Sequence, residues 1–151
     1  MLAIGCDQGG LELKNEVFKH LEERGVEYKD FGTFTPDSVD YPDYALKVCH
    51  SVTSGESERG ILICGTGLGM SMAANKVKGI RAAVCHDTFS AEFTRRHNDA
   101  NVLCMGGRVI GPGLACKVVD AYLDSEFEGG RHQRRIDKVM AIEDADCRAR
   151  I

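Results

Sequence analysis

Residues 60–76 read GILICGTGLGMSMAANK, and this stretch decides the fold class. GILIC at 60–64 is almost continuously apolar, which predicts a strand buried on both faces, as in a parallel sheet covered by helices. Three alternate glycines then turn the chain into a helical pattern at 69–77. Such a strand, turn and helix must bury its faces against further units of the same kind.

The alternation recurs on both sides. Apolar runs predict strands at about 2–6 (LAIGC), 26–31 (VEYKDF), 80–85 (IRAAVC) and 101–105 (NVLCM). Helical spacing predicts helices at about 10–24, 41–54, 88–97, 112–124 and 131–143. In the first of these, Leu11, Leu13, Val17, Phe18 and Leu21 form the apolar stripe, and Gly25 is the stop signal. Residues 32–40 are the longest irregular stretch, EGG at 128–130 is a second break, and the tail after about Glu143 is expected to fray. The reading is an α/β fold: one domain, 1–151, with a five-stranded parallel sheet between helices.

Composition narrows the class. An apolar share of 43%, a charged share of 28% and a net charge of −4 describe an ordinary globular chain and argue against a general nucleic-acid binder. The N-terminal apolar run breaks at Gly5 and Asp7, too early for a signal peptide, and no apolar stretch approaches the ~20 residues of a membrane span. Of seven cysteines, Cys6, Cys64, Cys85 and Cys104 sit within apolar runs, so reduced thiols and a cytoplasmic protein without membrane partners are expected.

In an open parallel sheet, ligands bind beyond the carboxyl ends of the strands. CDQGG, residues 32–40, CGTGLGMS, CHDTFS and CMGGR are the loops to inspect. The glycines of CGTGLGMS let backbone N–H groups converge on a phosphate or on a transient oxyanion, although tight-turn geometry explains them equally well. The pattern is not GxGxxG, and no GK[ST] follows. Cys64 opens this loop and is either a thiol primed to take a proton or a small apolar residue closing its strand.

Arg131 and Arg135 stand four apart at a helix start, a spacing that suits a phosphate dianion or a solvated basic face. His97, in RRHNDAN at 95–101, is open to general acid–base work, whereas stabilisation of a helix C-terminus is the plainer account. Asp7 reads as a cap, and Tyr41 as a helix start or a wall for a sugar ring. The adjacent pairs Cys49–His50 and Cys85–His86 lack metal-ligand spacing, so no metal is expected.

Taken together, CDQGG, DYPDYA, GILICGTGLGMSMAANK, IRAAVCHDTFSA, HNDANVL, GGRVIG and FEGGRHQRRI resemble, in this order, the ribose-5-phosphate isomerase B family, which groups with the galactose-6-phosphate isomerase subunits. The likeness runs to about residue 143. It implies a Rossmann-like three-layer α/β/α sandwich, a homodimer or dimer of dimers with active sites shared between subunits, and a small-molecule sugar phosphate interconverted without metal or organic cofactor.

By motif, the resemblance makes Cys64 the base, with Thr66 beside it. The backbone of Gly65, Gly67, Leu68, Gly69, Met70 and Ser71 would then hold the enediolate. Another branch of the family lacks this cysteine and uses a glutamate where this chain has Met70. His97 would assist ring opening with Asn98 beside it. Arg131 and Arg135 would bind phosphate, Arg108 would be a further anion contact able to come from the neighbouring subunit, and Asp7 and Tyr41 would line the sugar. The family reads DHGG or DHAG after the first strand; Gln8 here keeps a hydrogen-bond donor but carries no charge, which bears on phosphate affinity and sugar preference. Two rivals stand beside this reading: an isomerase preferring a six-carbon sugar phosphate, and a non-catalytic nucleotide-binding α/β module.

Overall fold

The computed structural model describes residues 1–149, with side chains placed through residue 145. The elements are β1 (Leu2–Cys6), a 3-10 turn (Gln8–Gly10), α1 (Leu11–Glu23), β2 (Tyr28–Asp30), α2 (Tyr41–Thr53), β3 (Arg59–Cys64), α3 (Leu68–Ala74), β4 (Ala82–Val84), α4 (Thr88–Arg96), β5 (Val102–Gly106), α5 (Pro112–Asp124) and α6 (Arg131–Ala149). All pairings are parallel, in the order β2-β1-β3-β5-β4. This is the three-layer α/β arrangement the alternating pattern predicts.

Period-two side-chain alternation explains the two cores. From β3, Ile61 and Ile63 join Leu13, Val17 and Leu21 of α1 and Val118, Val119 and Tyr122 of α5. Leu62 and Cys64 point the other way, into Ala45, Val48 and Cys49 of α2 and Met70 and Ala74 of α3. Continuous apolar character in β3 thus reports burial on both faces. Among the described residues, no helix is long and apolar enough to cross a membrane, and the six described cysteines are free thiols.

Four elements depart from the sequence reading. The edge strands β2 and β4 are shorter than 26–31 and 80–85: Val26 N–H donates to Leu21 O and Ile80 N–H to Val77 O, so those residues close the turns that precede the strands instead of entering the ladder. Helix α3 begins at Leu68 and ends at Ala74 rather than spanning 69–77. The tail expected to fray after Glu143 is instead helical through Ala149. Tertiary contacts hold its start: the Glu143 carboxylate accepts the Gly79 N–H, and Lys78 pairs with Asp144 at 2.8 Å.

At the carboxyl edge, the CDQGG turn lies directly on β3. A Cβ on Gly10 would stand 2.4 Å from the Ile63 carbonyl oxygen, a main-chain atom that cannot move aside. We therefore expect Gly10→Ala to destabilise the protein by about 1–3 kcal/mol in chemical denaturation, since overpacking here displaces backbone. A midpoint unchanged from wild type would show that the turn relaxes freely.

Candidate active site

Cys64 is the last residue of β3 and pairs with Gly106 of β5. Its side chain is buried at 5% exposure, and its Sγ accepts the Gly67 N–H at 3.1 Å. Gly67 takes a left-handed φ of 79°, which folds the amide back over the sulfur and starts α3. The loop is stitched to the next strand end: Gly107 N–H donates to Cys64 O at 2.7 Å and Arg108 N–H to Gly65 O at 3.0 Å.

Not every amide of 65–71 is available to a ligand. Gly67 N–H is taken by Cys64 Sγ, Ser71 N–H by Gly67 O and Leu68 N–H by the Thr66 hydroxyl, so the structure removes these three from the expected donor set. The N–H groups of Gly69 and Met70 fall in the first turn, where no intrahelical acceptor exists. The Met70 side chain is wholly buried in the core, so only its main chain can serve the site, and the Ser71 hydroxyl donates to Leu68 O.

Four further expected residues gather at this edge. A Cβ on Gly69 would lie 2.8 Å from Cζ of Tyr41, which places the half-exposed ring against the glycine loop. The Arg108 guanidinium lies against Gly65 of its own chain, about as close as a side chain on Gly65 would allow. Asp7 caps the 3-10 turn, its Oδ1 accepting from Gly9 and Gly10 at 2.9 and 3.2 Å. Gln8 Oε1 accepts the Val39 N–H at 3.0 Å, which turns its amide oxygen to bracing the 32–40 loop.

The remaining expected residues sit elsewhere. His97 caps the C-terminus of α4, and Asn98 and Asp99 lead into the amino end of β5. Arg81, just before β4, donates from Nε to Asn98 O and from Nη2 to Asp99 O, which fixes this turn at the amino edge of the sheet. His97 stacks on His132 with ring centroids 4.1 Å apart, which brings the start of α6 and its exposed Arg131 to the same place, with Arg135 one turn along. A single chain therefore does not unite Cys64 with His97, Asn98, Arg131 and Arg135. The length of β5 lies between them, roughly 15 Å.

Two residues of the amino-edge cluster, Glu128 and His132, escaped the sequence reading. Glu128 Oε2 lies 3.5 Å from His97 Nε2. Ligand atoms of His97, Glu128 and His132 fall within 4.8 Å of one another, but the two rings are 10° from parallel, so their in-plane lone pairs do not converge on one cation. The clue to His132 was its place inside GGRHQRR, between the two arginines. Cys49–His50 and Cys85–His86 form no metal pair either: Cys49 and Cys85 face the core, His50 is exposed, and His86 Nε2 accepts the Gly106 N–H at 2.9 Å.

Burial acts on four further thiols. Desolvation pushes Cys6, Cys49 and Cys85 up to about 11 and Cys104 well above the usual thiol range, which keeps all four protonated and inert at neutral pH.

With this geometry in view, likeness to known proteins becomes specific. A family profile described as Ribose/Galactose Isomerase matches residues 2–139. The chain is 54% identical over 142 residues to ribose-5-phosphate isomerase B of Escherichia coli, covering 94% of this chain and 95% of the relative. It is 45% identical over 139 residues to D-erythrulose-4-phosphate isomerase of Pectobacterium atrosepticum, covering 91% of each. Among solved structures, ribose-5-phosphate isomerase B of Clostridium thermocellum superposes with a TM-score of 0.94 at 55% identity, covering 95% of this chain and 97% of that one. The Mycoplasma genitalium enzyme with bound ribulose-5-phosphate gives 0.90 at 43% identity, covering 95% of each.

Desolvation first, then electrostatic coupling to the neighbouring His97 and Arg131, lowers the His132 imidazole below its usual value. The folded chain then refuses a proton that the unfolded chain accepts, so stability is lost as pH falls through ~6.5. Urea midpoints at pH 7.5 and 5.5 should fall further for wild type than for His132→Gln. Equal losses would remove His132 from the pH response.

Proposed function

Since this chain belongs to the ribose/galactose isomerase family and is an aldose–ketose isomerase of the ribose-5-phosphate type, we propose that Cys64 is the base that moves the proton and that each active site is completed by a second copy of the chain. The observation that carries the proposal is the Gly67 N–H directed at Cys64 Sγ, in a loop whose unpaired first-turn amides open beside Tyr41 and Arg108. The Gly67 amide holds the sulfur at the mouth of this loop, where a base must stand to reach a carbon held against the amides.

Chemically, the steps follow from these positions. Ribose 5-phosphate enters closed, and His97 exchanges protons with the ring oxygen and anomeric hydroxyl to free the aldehyde. Cys64 thiolate then removes the C2 proton while charge develops on O1. The amides of Gly69 and Met70 stabilise that charge as a cis-enediolate, each such donor contributing about 3 kcal/mol to the transition state. The O2 hydroxyl proton then passes to O1, and return of the proton from Cys64 to C1 gives ribulose 5-phosphate. Thr66 braces the loop through Leu68 N–H, and Asp7, whose Oδ1 is occupied by its cap, offers Oδ2 to the sugar hydroxyls.

The phosphate end requires the second copy. Arg131 and Arg135 supply forked donors for the dianion at the amino edge, too far from Cys64 of the same chain for one open five-carbon sugar to bridge. Exposed apolar side chains flank both halves: Leu68 and Met72 beside the cysteine loop, Val139 and Ile142 on α6. A two-fold partner that covers them brings the arginines and His97 of one chain to Cys64 of the other. The free, buried thiols suit a reducing compartment, so we place the enzyme in the cytoplasm.

Purified protein should isomerise ribose 5-phosphate, and Cys64→Ala should lower kcat by several orders of magnitude with an unchanged circular dichroism spectrum. Near-normal turnover by that variant removes Cys64 as the base. A second expectation addresses the shared site. Mixing inactive Cys64→Ala with inactive His97→Ala under subunit exchange should restore about a quarter of wild-type activity, because half the dimers are mixed and each has one intact site. No recovery from a mixture shown to have exchanged would place both residues in one chain's site.

A further inference from the structure

His86 lies outside the expected site, yet it holds the floor of the cysteine loop. β4 stops pairing with β5 at Val84–Cys104, extended by one bond from Cys85 N–H to Cys104 O at 3.1 Å. β5 runs on to Gly106, whose other side pairs with Cys64. Its amide on the open side would have no strand partner, and the His86 imidazole takes it: Gly106 N–H donates to Nε2 at 2.9 Å. An amide donor fixes that nitrogen as the acceptor, so the ring is neutral with its proton on Nδ1.

Gly106 in turn bears directly on the catalytic turn. A Cβ there would sit 2.7 Å from the Thr66 carbonyl carbon, so the two backbones are in close contact. The next residue, Gly107, donates to Cys64 O. Any shift of Gly106 therefore moves the main chain that aims the Gly67 amide at Cys64 Sγ.

We propose that His86 is a positioning residue for isomerisation: through the Gly106 amide, its neutral Nε2 fixes the strand end against which the Cys64–Gly67 turn is seated. This rests on Cys64 being the base. His86 itself touches neither thiol nor, in this account, substrate, so its loss acts on the thiol's setting and on turnover rather than on phosphate binding.

The test compares His86→Ala with His86→Gln, whose amide oxygen reaches about as far from Cβ as Nε2 and can accept the same N–H. We expect His86→Ala to lower kcat for ribose 5-phosphate by about 10- to 100-fold, as small misplacements of a reacting group do, with KM within about twofold. Site-resolved alkylation of Cys64 against pH should shift in His86→Ala and return towards wild type in His86→Gln. In the wild-type protein, nitrogen-15 NMR should show the Nδ1–H tautomer of His86, a measurement that stands even if the alanine variant does not fold. An Nε2–H tautomer, a wild-type kcat and alkylation profile in His86→Ala, or a glutamine variant as impaired as alanine would each overturn the proposal. Wild-type protein inactive on ribose 5-phosphate would overturn the functional reading alone, because the tautomer and alkylation measurements need no substrate.

Discussion

Main chain pressed against main chain at the carboxyl edge of β3 is the constraint from which the site follows. Gly9 and Gly10 lie on Gly65 and Ile63, and Gly106 lies on Thr66. At each contact a Cβ would stand at or inside the limit of close packing, so three loops interlock only because side chains are missing. Interlocked backbones cannot drift independently, and this rigidity keeps the Gly67 amide nitrogen 3.1 Å from the Cys64 sulfur. Preorganised donors of this kind need not reorganise when charge appears, which is why they stabilise a transition state better than water does.

Rigidity at one edge leaves a division of labour across the molecule. The carboxyl edge holds the thiol, the unpaired amides, Tyr41 and Arg108; the amino edge holds the stacked pair His97–His132 with Glu128 and the arginines of α6. A buried parallel sheet separates them and is too stiff to fold one edge onto the other. The proposed two-fold partner removes the separation without deforming either half, because its axis would deliver the amino edge of one chain to the carboxyl edge of the other. The same sheet keeps Cys6, Cys49, Cys85 and Cys104 protonated by burial, so the remaining strand-end cysteine has no competitor among them.

Several residues carry dual duty that motif reading alone does not separate. Asp7, proposed for the sugar site, is also a cap, and the cap takes one oxygen. Gln8 braces residue 39 through its oxygen, which leaves its amide nitrogen, a neutral donor, where the family has histidine. Ser71 lies within the glycine motif, yet its amide and hydroxyl serve the first turn of α3. His86 read only as half of a poor metal pair, because its partner, Gly106, stands twenty residues away and is visible only once β4 and β5 lie side by side.

The sequence by itself determined the layered fold, the strand that ends at Cys64 and the loops that gather there. These depend on local periodicity and on glycine, whose effects are felt within a few residues. It also placed His97 and the arginine pair at helix ends, but not which edge of the sheet those ends occupy. Only the tertiary structure decided that the two groups stand apart within one chain, that α6 continues past Glu143, and that an imidazole finishes the β5 ladder. Each of these turns on contacts between segments distant in sequence, where strand order and direction, rather than any local pattern, set what meets what.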